Sequence, residues 1–431
     1  MTSSWSTRLN RLVAWGTALL LFLLPWQTRW IAYQGRLNGG PWEYGSLSLL
    51  ASELLLWAIV ILWLGNGGWR KLRSIPLPAA AIGLLAWAVT SGWWASDSIA
   101  WQQSVRMLID GIVLFALVTS GPLPWVTALV SFIVGAGLQA VLAWWQFIAQ
   151  QIPASSWLGL ALHRPDILGD AVVESATGRW LRPYGALPHP NILGGWLAVA
   201  WVGVLGLVDR AGQQRSQQWF VLSAWLLIGM GLMVSFSRSA WVAAVVLAVV
   251  VGGWLIVKHQ WRRIHTIMLV SIILLGSIWL MTYAPLIIAR VQAAGRIETL
   301  SLDTREQLWH WGVTIAQQHW LVGVGLGNAT AAVYTTINSQ LPSWQYQPPH
   351  SVYLTSLVEL GVVGGLLVGW LVINIAWRAR DTVITLAPWL VIVMIGLFDH
   401  YPWTLFAGSW LWWLTAALAI RAQKNNITYD R

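Results

Sequence analysis

Apolar residues run along this chain in blocks, separated by short clusters of charge, glycine and proline. Twelve blocks read as membrane-crossing helices, at about 12–33, 46–65, 77–94, 104–120, 124–149, 191–208, 219–236, 239–257, 264–283, 351–376, 384–398 and 403–420. A helix needs about 20 apolar residues to cross about 30 Å of hydrocarbon, and most of these runs are of that length. The expected fold is an all-α membrane protein of about 12 transmembrane helices, one transmembrane domain over 1–431. Two connections are much longer than the rest, 150–190 and 284–350. Loops of that length often serve as lids or binding segments. No internal repeat, low-complexity tract or separate soluble domain interrupts the pattern.

The second long loop carries helix signals of its own. Asp303 and Glu306 fit a capping box, and Leu308, Trp311, Ile315 and Trp320 form a rough apolar stripe. A helix at about 304–320 is expected on the membrane surface, with Arg305 in its first turn. Gly323-Val324-Gly325-Leu326-Gly327-Asn328 ends it. No strand precedes these glycines, so a dinucleotide-binding turn lacks its context.

Composition agrees with a lipid environment: 57% of residues are hydrophobic and 9% charged, against about 25% charged in soluble domains. The formal charge of +10 raises nucleic acid as a partner, but its distribution excludes that reading. With the N-terminus in the cytoplasm, the inner side receives Arg8, Arg11, Arg70, Lys71, Arg73, Arg210, Arg215, Lys258, Arg262, Arg263, Arg378, Arg380, Arg421, Lys424 and Arg431, against Asp209, Asp381 and Asp430. All the lysines fall there. This is the positive-inside pattern, and it sets an N-in, C-in topology with both long loops outside. Cysteine is absent, which removes disulfides and thiolate metal sites. The first apolar run lacks a small-residue cleavage pattern and reads as a retained anchor. Tryptophans near span ends, such as Trp26, Trp30, Trp93, Trp94, Trp144 and Trp145, read as interfacial anchors rather than sugar-stacking platforms.

Charge inside a membrane is expensive, so its depth is informative. Glu53, Asp110 and Glu359 are the acids inside the predicted spans, all within roughly 9–14 Å of the outer surface at about 1.5 Å per residue. Asp110 has a structural alternative, pairing with Arg106 at i,i+4. The inner half carries no charge. A polar cavity open to the outside accounts for this, whereas a transporter, the competing class, would line a full path.

Four outer features supply candidate chemistry. Arg182 sits in Arg182-Pro183-Tyr184-Gly185, shortly before His189-Pro190-Asn191. Arg238 sits in a short turn, Ser235-Phe236-Ser237-Arg238-Ser239. Arg305 starts the surface helix, and His350 begins the tenth span. Three arginines suit a polyanion such as a diphosphate, and a histidine beside them can act as a base near neutral pH. Singly, each has a plain alternative, a lipid headgroup contact or a helix cap. No tight metal-ligand cluster is visible; Asp399-His400 comes nearest, and adjacent residues chelate poorly. No metal or cofactor is expected.

In their order and topology these stretches resemble the O-antigen ligase and polymerase superfamily of bacterial membrane glycosyltransferases. The likeness rests on Arg182–Gly185 through Asn191, on Ser235–Ala240, and on Arg305 and Trp309 through Gly323–Asn328 to His350-Ser351 and Glu359-Leu360-Gly361. The resemblance implies a GT-C-like fold in the bacterial cell inner membrane, with the site facing the periplasm. It implies metal-independent, inverting transfer of a glycan from undecaprenyl diphosphate. The acceptor would be lipid A–core or a similar lipid in a ligase, and another lipid-linked repeat unit in a polymerase; the residues do not separate the two. The match makes Arg182, Arg238 and Arg305 diphosphate-binding residues and His350 the base. Glu306, Glu359, His189, Asn191 and Tyr184 are candidate supporting residues. Protein O-oligosaccharyltransferases, a related group, often carry an extra outer domain not evident in this sequence.

Overall fold

The apolar runs fold into helices in the computed structural model, which describes residues 2–427 apart from 177, 212–213 and 293–295. In chain order these are α1 (Thr2–Leu23), α2 (Ala51–Gly65), α3 (Ala79–Thr90), α4 (Ser98–Ser120), α5 (Trp125–Ala149), α6 (Pro190–Ala211), α7 (Arg215–Val234), α8 (Arg238–Val257) and α9 (Arg263–Thr282). There follow α10 (Ala284–Gln292), α11 (Arg296–Gln318), a short α12 (Ala329–Ala332), α13 (Val352–Arg378), α14 (Val383–Ile395), a short α15 (Tyr401–Thr404) and α16 (Phe406–Ile427). The protein is a multi-pass membrane protein. Among the described residues, seven helices are long and apolar enough to cross a membrane: α4 to α9 and α13. An eighth is α2, if the tight turn at Gly68–Ser74, bent from it by 96°, belongs to the same span.

The count thus parts from the twelve expected, for identifiable reasons. Helices α3 and α14 have 12 and 13 residues, about 18–20 Å of rise, short of the hydrocarbon thickness. Helix α1 carries Arg8 and Arg11 in its first half. It also stops at Leu23, so the expected run 12–33 is overextended: Arg29–Tyr33 is a strand, β1.

Helix α6 lies at the centre, its apolar stretch wholly buried, while α9 is largely exposed on the rim. The chain's connections fall at two ends. One end is the basic one, tied by Arg378 to the Pro76 carbonyl (3.0 Å) and by Arg421 to that of Gly121 (3.3 Å). Of the residues assigned to it, Asp430 and Arg431 lie outside the described residues, as do the side chains of Asp209, Arg210 and Lys424.

The other end carries the loops, and they bond to one another. Residues 24–50, expected as the end of one span, a short connection and the start of the next span, form an additional loop. In it β1 pairs antiparallel with β4 (Leu47–Leu50), Arg29 opposite Leu50, and a small hairpin joins β2 (Arg36–Leu37) to β3 (Gly40–Pro41). In the 150–190 loop, β5 (Val172–Ser175) pairs with β6 (Gly178–Leu181). Thr28 donates to the Trp157 carbonyl (2.8 Å) and Asn38 to that of Leu341 (2.8 Å), which ties the three loops together.

Helix α11 is the expected loop helix, but it begins two turns earlier. Asp303 therefore lies inside it and is no N-cap. The glycine segment does end it: Gly323 (φ +72°) donates to the His319 carbonyl. From there the segment threads against a break in α13 at Gly361 (φ +64°), where Val324 and Gly325 donate to the carbonyls of Val358 and Glu359.

Each buried acid has partners within the fold. Arg106 pairs with Glu53 (3.1 Å), not with Asp110 four residues on, because Asp110 takes the Trp57 indole N–H (2.9 Å). Glu359 accepts from the Trp403 indole (2.8 Å) and from the backbone of Gly327 and Ala329, so it anchors the glycine segment.

Candidate functional site

Beside α6, the short turn from Ser235 to Ser237 joins α7 to α8. Phe236 adopts φ +51°, a left-handed conformation that costs a bulky residue roughly 1–2 kcal/mol. Its ring is buried against Phe147, Trp241 and Trp279, with centroids 5.7–6.0 Å away, and this packing holds the turn in place. Gly194 makes room for it: a Cβ there would lie 2.5 Å from Ser237 Cβ. The turn's carbonyls face two buried arginines. Arg182 donates to Ser235 O through Nε (3.1 Å) and Nη2 (3.0 Å). Arg290, in α10, donates to Phe236 O (2.9 Å), and its own carbonyl accepts from Arg238 (3.3 Å). Arg290 is thus a site arginine that sequence reasoning passed over.

Arg182 also donates to Asn191 Oδ1 (2.8 Å), and Asn191 Nδ2 donates to Asp399 Oδ2 (3.2 Å). The other carboxylate oxygen of Asp399 accepts from the His400 backbone (2.9 Å) and faces His350 Nδ1 at 3.6 Å, just beyond hydrogen-bonding range. A continuous polar chain therefore runs from the arginine turn to His350. The segment preceding Asn191 is set from α5, where Gln146 accepts from the Tyr184 and Gly185 amides (2.9 and 2.8 Å) and Gln139 from that of Ala186 (2.7 Å).

Burial would push the Asp399 carboxyl up, but the neighbouring His350, with His400 and Arg305, holds it below the ordinary range. Asp399 is therefore ionised. His189 and His400 are each lowered to about 3, by burial first and then by the charges of Arg182 and His350 respectively. Both are neutral at physiological pH. Nδ1 of His189 accepts from the Asn191 amide (3.1 Å). Arg305, half-buried in α11, lies near enough for its charge to act on His189, Asp399 and His400.

The structure thus gathers Arg182, Arg238, Arg305, His189, Asn191 and His350 about one centre and adds Arg290 and Asp399. Tyr184 sits at its edge, 6.2 Å from the His189 ring. Two supporting candidates fall elsewhere. Glu306 is exposed and pairs with His310 (3.7 Å) on the outer side of α11, and Glu359 is committed to the glycine segment. His350, Asp399 and His400 do bring ligand atoms within 4.8 Å of one another, a cluster the sequence did not disclose. Asp399 and His400 turn lone pairs to hydrogen bonds, Asp399 with Asn191 and the His400 backbone and His400 Nδ1 with Thr404 (2.6 Å), while His350 Nδ1 faces Asp399. That arrangement suits a carboxylate–imidazole pair better than a cation.

Directly behind the turn, an apolar cleft of about 760 Å³ opens between α6, α7, α8 and α9. It runs from Trp241 and Trp279, which pack on Phe236, to Trp261 and His265 near the basic end.

The protein thus sets a cluster of arginines beside an apolar cleft and a histidine that faces a carboxylate. Residues 222–369 match the family described as O-antigen ligase, a stretch that includes Arg238, Arg290, Arg305 and His350 but not Arg182, Asn191 or Asp399. The chain is also similar to a general O-oligosaccharyltransferase of Acinetobacter baylyi, 24% identical over 266 residues, which is 58% of this chain and 44% of that protein. The chain therefore spans under half the length of this curated relative. Both findings are similarities to the superfamily that the motifs resemble, and the family match spans the stretch from Arg238 to His350.

Proposed function

We propose that this protein transfers a glycan from undecaprenyl diphosphate to an acceptor hydroxyl at the outer face of the bacterial inner membrane, with inversion and without metal. The observation that carries this reading is the apolar cleft that ends at the arginine turn. A polyprenyl tail fits the cleft, and the diphosphate then falls beside Arg238 and Arg290 and the N-terminus of α8, where the helix dipole favours anions. Arg305 faces the same centre from α11. Arg182 acts by holding the turn.

In the reaction the acceptor oxygen attacks the anomeric carbon from the face opposite the diphosphate. The carbon–oxygen bond to phosphate breaks and its electrons stay on the leaving diphosphate, whose growing charge the arginines stabilise. His350 takes the acceptor proton on Nε2, while Asp399 holds Nδ1–H and stabilises the imidazolium.

The proposed acceptor is lipid A–core or a similar lipid. Repeat-unit polymerisation uses the same chemistry, and likeness to an O-oligosaccharyltransferase favours testing a protein hydroxyl as well. Native mass spectrometry of the purified protein tests the donor: a co-purifying polyprenyl diphosphate is expected, and its loss in Arg238→Ala. Incubation with lipid-linked repeats alone tests the acceptor, since chain extension without core lipid would replace ligation by polymerisation.

A further inference from the structure

A second cavity at the loop end, of about 430 Å³, shares no lining residue with the apolar cleft. Its size lies within the range of about 300–1,000 Å³ typical of small-ligand sites. It is walled by the 24–50 loop, the 150–190 loop and the start of α4, and Arg29, Glu43, Tyr44, Gln103, His163 and Tyr184 contribute to its surface.

The charges in this wall are paired among themselves. Arg29 forms a two-point ion pair with Glu43, one contact at 3.0 Å. His163 Nδ1 meets Asp170 at 2.7 Å, which holds the ring in place. Such a wall offers an anion no unpaired cation. It offers amide, hydroxyl and imidazole groups to a neutral, hydroxyl-rich ligand, and aromatic rings against which such a ligand can lie. The His163 ring is itself stacked on Tyr184, 3.9 Å between centroids.

The cavity's wall lies one layer of side chains from the reacting centre. Tyr44 is 6.3 Å from the His400 ring, and His400 is 5.1 Å from that of His350. On the other wall Tyr184 borders His189. A ligand held here would lie on the side of the centre away from the cleft, with Tyr44 and His400 between it and His350.

We infer that this cavity is the saccharide subsite of the acceptor, binding the sugar whose hydroxyl is presented to His350. The inference rests on the glycan-transfer reading. Its test uses the full-length protein in nanodiscs, a panel of free, unlipidated tri- to pentasaccharides observed by saturation-transfer NMR, and undecaprenyl diphosphate as a separate probe. Two variants perturb the cavity: Ala161→Trp, which fills it from an exposed loop position in its lining, and Tyr44→Ala, which opens its wall toward His400. Each is expected to weaken saccharide binding about tenfold or more, a change of at least about 1.4 kcal/mol, while undecaprenyl diphosphate binds as to the parent protein. Arg238→Ala is expected to do the reverse. Saccharide binding unchanged in both cavity variants, or undetectable in the parent protein, overturns the assignment. Competition between a free saccharide and a lipid-linked oligosaccharide would assign the cavity to the donor's sugars and overturn the acceptor reading, whereas simultaneous binding supports it. Failure of undecaprenyl diphosphate to bind the parent protein would instead refute the donor proposal, and is read separately from the saccharide signal.

Discussion

Replacing Asp399 by Asn isolates the charge that faces His350. The side chain keeps its shape, and its oxygen can still accept from Asn191; what is lost is the negative charge 3.6 Å from His350 Nδ1. At an effective dielectric of about 20, unit charges at that distance attract by about 4.6 kcal/mol. His350 is one-fifth exposed, so solvent screens part of this, and about 3–4 kcal/mol is the working figure. It applies only as His350 becomes positive in the transition state, so it appears in turnover rather than in binding. At 1.36 kcal/mol per decade, kcat should fall about 10²–10³-fold with little change in donor affinity. An Asn amide can also donate to Nδ1 and move the imidazole proton to Nε2, which works in the same direction. The assay is single-turnover transfer from an undecaprenyl-diphosphate-linked oligosaccharide in nanodiscs, with lipid binding measured in parallel. Turnover within about threefold of the parent protein, at intact binding, would refute the pairing of Asp399 with His350 as the source of the base.

Arg290→Ala should weaken undecaprenyl diphosphate binding at least about tenfold, and Arg290→Lys should restore little of it, because the bond to Phe236 O comes from Nε; direct lipid titration reads both. Gly194→Ala places a Cβ 2.5 Å from Ser237 Cβ, so it should displace the turn, lower thermal stability by about 1–3 kcal/mol and reduce transfer; a melting curve unchanged from the parent would contradict the packing. His189 is neutral in the fold, its pKa lowered from 6.5 to about 3, so the unfolded chain binds the extra proton and stability falls as pH drops below about 6.5. The loss between pH 7.5 and 5 should reach at most roughly 2 kcal/mol, and melting curves of His189→Gln should lack that part of the acid slope. Chelation with EDTA should leave transfer unchanged; restoration of a chelator-silenced enzyme by added metal would make His350, Asp399 and His400 a ligand set.

Much of the fold was legible because lipid imposes a simple rule: a backbone in hydrocarbon must satisfy its own hydrogen bonds, so long apolar runs become helices. The basic loops marked one end for an equally local reason. The site was legible residue by residue where a charged group stood out against apolar surroundings, as Arg182, Arg238, Arg305 and His350 do. Arg290 and Asp399 escaped for opposite reasons. Arg290 lies in a long loop where an arginine is unremarkable, and only its bond to the strained turn singles it out. Asp399 was noticed beside His400 but weighed as a metal ligand, and its partners His350 and Asn191 are remote in sequence.

The 24–50 loop was missed although its signal was present. Asn38-Gly39, both with positive φ (47° and 80°), is the turn pair that favours a two-residue hairpin, and it follows Trp30–Tyr33, whose aromatic and β-branched residues suit a strand as well as the end of a helix. An apolar run at a membrane boundary is ambiguous between the two, because interfacial tryptophans and strand aromatics read alike. Here the outcome matters to chemistry. Had the run continued as helix to residue 33, Arg29 and Glu43 could not have met across the loop, and the polar cavity beside Tyr44 would have had no outer wall. The part of the chain least legible as sequence is therefore the part in which the proposed acceptor subsite is built.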